Sequence, residues 1–164
     1  MKGKVLISAC LLGRNCRYDG SNCYDKTLVK LLRSFRPIGV CPEELAGFKK
    51  KRGPFELKGK ASDIFLRKNR VVDIKGKDVT GMFIQGAKLS FKIAKENNIR
   101  LAILKSKSPS CSPDFIYNGS FSKILKEGLG LFAYLLKNDN VVIVSNEEFV
   151  KRPEYFISKC RGRS

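Results

Sequence analysis

The chain has 164 residues and a formal net charge of +18, from 33 basic and 15 acidic side chains, with six cysteines and no histidine. That length suits one domain with one core, and no apolar run approaches the ~20 residues that cross a bilayer. The lack of histidine removes Cys2His2 zinc sites, Cys–His nucleophiles and Ser–His–Asp triads together.

Residues 4–9 form a short apolar run that reaches a cysteine, Cys10, as a buried parallel strand does. A secretory leader would need a longer apolar region and a small-residue cleavage site, so the protein is expected to be cytoplasmic. Asp25 suits the N-cap of a helix carrying Leu28, Val29, Leu31, Leu32 and Phe35, which Pro37 should end. Residues 38–40 read as a second strand, again running into a cysteine, Cys41. Residues 44–77 are less regular, with a charge run (Lys49, Lys50, Lys51, Arg52), a Gly53-Pro54 turn and a short strand over 70–74. Asp78 opens the clearest helix: Val79, Phe83, Ala87, Phe91 and Ala94 make one apolar face, and Asn97-Asn98 stop it. A third strand over 101–104 leads into the polar loop 105–113, which carries Cys111. Gly128 and Gly130 precede a helix with Leu131, Phe132, Leu135 and Leu136, and a fourth strand covers 141–144. An acidic turn (Glu147, Glu148) follows.

Strands alternating with helices predict an α/β fold: a single three-layer, Rossmann-like domain with a mostly parallel sheet over residues 1–148. Residues 149–164 form a basic tail, either an RNA-binding arm or a solvated end. Ligands of such sheets bind beyond the carboxyl ends of the strands. Cys10, Cys41 and Cys111 each lie at or just after such an end, so the topology should bring them to one edge.

Cytosolic cysteines are metal ligands, catalytic thiols or buried apolar groups more often than disulfides. Thiolates select zinc, copper(I) or iron–sulfur centres, and a structural zinc site tends to use paired Cys-x-x-Cys hooks, which are lacking here. Three dispersed cysteines suit a 4Fe–4S cluster with one iron left open as a Lewis acid. The +18 charge has two explanations, a lysine-rich surface or a nucleic-acid footprint, and in either case favours phosphorylated substrates.

Ser8-Ala9-Cys10-Leu11-Leu12-Gly13 with Cys16-Arg17-Tyr18-Asp19-Gly20, then Val40-Cys41-Pro42-Glu43, then Lys107-Ser108-Pro109-Ser110-Cys111 resemble, in order, three motifs of the thiouracil desulfidase family. Asp78-Val79-Thr80, Gly119-Ser120-Phe121-Ser122 and Gly128-x-Gly130 fit as well. The resemblance implies a 4Fe–4S cluster on Cys10, Cys41 and Cys111, whose open iron takes the substrate's sulfur. It implies Glu43 as the general base for water and Ser108 as an active-site hydroxyl. The reaction would replace sulfur by oxygen, without net redox change, in thiouracil, 4-thiouridine or its monophosphate. Fused relatives make transfer RNA a further candidate substrate.

Arg17, Tyr18 and Asp19 are candidates for substrate recognition, with arginine on a phosphate and tyrosine on a base; the alternative is a loop braced by an Arg–Asp pair. Gly128 and Gly130 either leave amides free for a phosphate or cap a helix. Cys16 could be a fourth ligand, but three are preferred; Cys23 and Cys160 match no motif and are expected to be bystanders. Two departures from the family pattern stand out. Ser112-Pro113 replaces a glycine after the third cysteine, and Lys51-Arg52-Gly53-Pro54 replaces a Pro-Arg-Pro segment. Two other functions compete with the desulfidase: a basic RNA-binding module with a structural metal, and a thiol redox protein, which would need an activated cysteine pair.

Overall fold

The computed structural model describes residues 2–161. The chain runs β1 (Lys4–Ser8), α1 (Lys26–Leu31), β2 (Arg36–Val40), α2 (Pro42–Leu45), β3 (Phe55–Leu57), α3 (Ala61–Phe65), β4 (Val71–Asp73), α4 (Thr80–Glu96), β5 (Leu101–Leu104), β6 (Phe115–Tyr117), β7 (Leu125–Glu127), α5 (Leu131–Asn138), β8 (Val142–Ser145), α6 (Asn146–Lys151) and α7 (Pro153–Arg161). Short 3-10 turns occupy Ala9–Leu12 and Leu32–Ser34.

Four parallel strands form the central sheet in the order β2-β1-β5-β8. Side chains of a strand alternate between faces, and here both faces are covered. Val5, Ile7, Leu101, Ile103, Val142 and Val144 pack with Leu28, Leu32, Phe149 and Phe156 from the helices on one side. Leu6, Ala102 and Leu104 pack with Phe83, Ala87, Phe132 and Leu136 on the other. This explains why the strands read as near-unbroken apolar runs: all of β5 and all of β1 after Lys4 are buried. Each fully buried Leu or Phe contributes about 1.5–3 kcal/mol over leaving it exposed.

The expected three-layer α/β architecture is present. Asp25 caps α1, its carboxylate accepting from Leu28 N–H at 2.9 Å. Pro37 does not end that helix. The helix stops at Leu31, and Pro37 lies inside β2, paired with Val5. β2 is an edge strand, where a residue without an N–H leaves no ladder bond missing. The acidic pair Glu147 and Glu148 is the first turn of α6, whose N-cap Ser145 accepts from Glu148 N–H. Beyond it α7 buries Phe156 in the core, so residues 153–161 form a docked helix; residues 162–164 of the basic tail lie outside the described residues.

Of two small antiparallel pairs, β4 falls within the short strand expected over 70–74, while β3, β6 and β7 escape a reading based on periodicity. β3 pairs with β4 and β6 with β7, each over three residues. They sit beyond the sheet and supply a second wall to the site.

Candidate active site

The strand order reverses at β1, with β2 on one side of it and β5 on the other. That is a topological switch point, where the two crossovers diverge and leave a crevice. Cys10 lies in the 3-10 turn directly after β1, Cys41 directly after β2, and Cys111 in the loop after β5. Pro42 starts α2, where its missing N–H costs nothing. Helix α4 backs against that turn so closely that a Cβ on Gly86 would lie 2.1 Å from the Pro42 carbonyl oxygen. The Cys111 loop is set from two sides. Ser108 Oγ accepts from the Ser110 and Cys111 amides at 3.2 and 3.0 Å. The start of α5 then donates Leu131 N–H to Pro109 O and Phe132 N–H to Ser110 O. A Cβ on Gly130 would lie 2.4 Å from the Ser110 carbonyl carbon, so only glycine allows this approach. The amides around Gly128 and Gly130 are thus spent on the loop and are not free for a phosphate.

Cys10, Cys16 and Cys111 are buried, Cys23 and Cys41 half-buried, and none of the six cysteines forms a disulfide. Cys10 lies within hydrogen-bonding reach of both Cys16 and Cys23, and Cys16 of Cys41. The Sγ atoms of Cys16 and Cys41 and a Glu44 carboxylate oxygen lie within 4.8 Å of one another. Such crowding resists ionisation. Cys16 helps the Cys10 thiolate, but contact with Cys23 and burial outweigh this and push the Cys10 thiol up to about 12. The Cys41 thiol is pushed up by its contact with Cys16 and by burial, and Cys111 mainly by burial. Cys23 goes the other way, to about 6: Cys10 donates to it, and Arg17 and Lys105 add positive charge. Thiols that cannot ionise together in water-poor surroundings do so when a cationic metal centre is added.

Glu43 follows two residues after Cys41. Its carboxylate is held by Arg52, whose Nε and Nη2 donate to Oε2 at 2.7 and 2.6 Å, while Ser110 Oγ reaches Oε1 at 3.4 Å. Burial raises the Glu43 carboxyl above its ordinary value, and Arg52 and Ser110 pull against that. Arg52 also donates to the carbonyls of Cys16 and Lys49 at 2.8 and 2.9 Å, tying three segments together. It is the buried member of a run whose three lysines are exposed.

These groups line one cavity of about 620 Å³, a volume suited to a small-molecule ligand. Five cysteines, Glu43, Ser108 and Ser110 form one side; Phe55, Glu56, Tyr117, Phe121 and Lys123 from the hairpins form the other. Arg17 and Tyr18 lie on the rim, Tyr18 being 41% exposed. Arg17 donates to Cys23 Sγ at 2.9 Å and lies 3.9 Å from Asp19. Asp19 accepts from the amide and hydroxyl of Ser21 and shapes its own turn outside the cavity lining.

The family model for 2-thiouracil desulfurase matches residues 5–148. The chain belongs to that family. A solved structure of TudS, a 4Fe–4S-dependent thiouracil desulfidase, is 34% identical, with a TM-score of 0.82 over 96% of this chain and 98% of that one. The uncharacterized protein YbbK of Bacillus subtilis is 39% identical over 145 residues, 88% of this chain and 96% of that protein.

In this member of the 2-thiouracil desulfurase family, the cavity brings together Cys10, Cys41, Cys111, Glu43, Ser108, Arg17 and Tyr18. It also brings in Cys23, expected to be a bystander, whereas Cys160 lies outside the cavity lining, its Sγ reaching Arg100 O just before β5, at the other end of that strand. Arg52, Ser110 and the hairpin residues were missed by reading the sequence. Arg52 is hidden in a lysine run, and the hairpin strands are too short to show a period. The departure at Ser112 has a structural reason. Ser112 is fully buried, its Oγ accepting from Lys107 N–H and donating to Phe115 O, so it braces the loop where a glycine could not.

Proposed function

We propose that this chain is an iron–sulfur-dependent desulfidase that replaces the sulfur of a thiolated uracil compound with oxygen from water. Thiouracil, 4-thiouridine and 4-thiouridine monophosphate are the candidate substrates. Carbon–sulfur bond cleavage and carbon–oxygen bond formation balance as thiocarbonyl plus water giving carbonyl plus hydrogen sulfide, with no electron donor or acceptor. The observation that carries this reading is the convergence of Cys10, Cys41, Cys111 and Glu43 on one cavity in a 2-thiouracil desulfurase family member. The 4Fe–4S dependence of TudS supports the cofactor, and the donor set here fits it: soft, buried thiols whose ionisation needs a cationic partner. Cys10, Cys41 and Cys111, each placed by a strand end, would hold the 4Fe–4S cluster, with Cys16 beside it as a non-ligand. When bound, the cluster supplies an open, soft Lewis-acidic iron for a thiocarbonyl sulfur.

The protein supplies the rest. Arg52 fixes Glu43 through Oε2, and Oε1 carries only the long contact from Ser110, leaving it able to take a proton from the attacking water. A carboxylate with a raised pKa is a better base near neutral pH than an ordinary one. Ser108 already accepts two amide bonds, so its own hydroxyl proton is available to the water or the substrate ring. Tyr18 offers a face to the pyrimidine, while Arg17 and Asp19 shape that part of the rim. The +18 charge supports transfer RNA containing 4-thiouridine as a further candidate partner. Reduced thiols support a cytoplasmic setting; no helix among the described residues is long and apolar enough to cross a membrane.

The test is anaerobic reconstitution with iron and sulfide, followed by turnover of the three candidate compounds. Iron that survives Cys16→Ala but collapses in Cys111→Ala supports the ligand set, and equal loss in both removes it. Inertness toward all three compounds with iron bound would overturn the activity.

A further inference from the structure

Five cysteines line the cavity, and the ligand set uses three of them. Cys16 and Cys23 are left without a part. Their thiols form a contact series with the ligands: Cys23 meets Cys10, Cys10 meets Cys16, and Cys16 meets Cys41. The two spare thiols are not equivalent. Cys16 is buried, and the neighbouring Cys41 thiol is directed at the Cys16 carbonyl oxygen at 3.7 Å. Cys23 is half-buried and open to the cavity. The Arg17 guanidinium donates to its Sγ at 2.9 Å, and a partly exposed sulfur beside positive charge is the setting of a reactive cysteine.

A disulfide also needs its two main chains close together. Cys23 N–H donates to Cys10 O at 2.9 Å, and Asp25 N–H donates to Leu11 O at 3.0 Å. These bonds lay residues 23–25 alongside the 3-10 turn that carries Cys10, so the two touching thiols hang from touching backbones. We propose that Cys23 is a site of oxidative modification in the cluster-free protein, where a low-molecular-weight disulfide captures it and Cys10 then closes an intramolecular Cys10–Cys23 bridge. The Cys23 sulfur attacks the reagent and expels one thiolate, which takes up the Cys23 proton. The Cys10 sulfur then attacks Cys23, and the second thiolate leaves with the Cys10 proton. Two protein thiols and one small disulfide thus become one bridge and two small thiols. The consequence rests on the reading of Cys10 as a cluster ligand. A bridged Cys10 cannot hold iron until a reducing thiol reopens it, and a bound cluster in turn shields Cys10. Cluster loading is thereby tied to reducing conditions.

The test is to treat cluster-free and cluster-loaded protein with oxidised glutathione in the absence of oxygen, alkylate the remaining thiols and map the peptides by mass spectrometry. Wild type, Cys23→Ser and Cys16→Ser are compared. The expected result is one bridge from Cys10 to Cys23 in cluster-free wild type and in Cys16→Ser, reversed by dithiothreitol and lost in Cys23→Ser. Cluster-loaded wild type should form it about tenfold more slowly, with its iron retained. A bridge from Cys10 to Cys16 or from Cys16 to Cys41 in its place overturns the proposal, as does glutathione left on Cys23 with the Cys10 thiol free. The wild-type map decides the pairing by itself, whether or not either variant folds. Bridging at equal rates in loaded and cluster-free protein, with iron retained, would remove Cys10 from the ligand set and leave the modification site standing.

Discussion

The two walls of the cavity are built by different means. One is made of strand ends: Cys10, Cys41 and Cys111 are delivered by three adjacent parallel strands, and Cys10, Cys111 and Ser110 are nearly inaccessible. The other is made of two three-residue hairpins carrying aromatic rings and lysines at the surface. The first is fixed by the main-chain ladder and the core on both faces of the sheet. The second is fixed by individual side chain–backbone bonds, from Glu56 to Phe121 and from Lys58 to Gly119. Labour is divided accordingly. On the proposed reading, chemistry would sit where the fold is hardest to deform, and selectivity where one substitution can alter it without loss of the core.

Substitutions on the two walls should therefore differ in kind. The largest effect is expected for Glu43→Gln on the strand-end wall. It keeps the shape and removes the base, so kcat should drop by about 10²- to 10⁴-fold with the iron content unchanged; steady-state rates on matched iron-loaded samples decide it. Arg52→Met leaves the Glu43 carboxylate buried without its partner. Urea unfolding should show a loss of about 3–5 kcal/mol, and a loss under about 1 kcal/mol would mean that the pair is not what holds this wall. On the hairpin wall, Glu56→Ala strips the acceptor from Phe121 N–H. It should cost about 1–3 kcal/mol and raise KM more than it lowers kcat, while Glu56→Gln, which still accepts, should restore KM. An effect confined to kcat would erase the distinction between the walls. Smallest, and away from both, Asp25→Ala removes the cap of α1 and a bond from Asn146. Stability should fall by about 1 kcal/mol with kcat/KM intact.

What the sequence discloses follows the same division. The apolar runs ending at Cys10 and Cys41, and the α4 stripe from Val79 to Ala94, predict the parallel sheet, its covering helices and the meeting of three cysteines, because long elements leave a period. Glu43 and Ser108 come with the motifs that carry those cysteines. The hairpin wall leaves less trace: Phe121 falls in the Gly119-Ser120-Phe121-Ser122 segment, but Phe55 and Lys123 lie in segments too short for alternation to register, and Phe121 is held by Glu56, a carboxylate nothing in the local sequence marks as buried. Arg52 and Cys23 were hidden for related reasons. Each is defined by a partner distant in sequence or set in an irregular loop: Glu43 and the Cys16 carbonyl for one, Cys10 and Arg17 for the other.

The most direct test of the central claim is the fate of both atoms exchanged in the reaction. Protein reconstituted with iron and sulfide under anaerobic conditions would be given a thiolated uracil compound in water enriched in heavy oxygen. The account predicts one sulfide released and one labelled oxygen gained per turnover, over many turnovers, and neither in Cys111→Ala. Sulfide loss without label in the product, or undiminished turnover in Cys111→Ala, would contradict it.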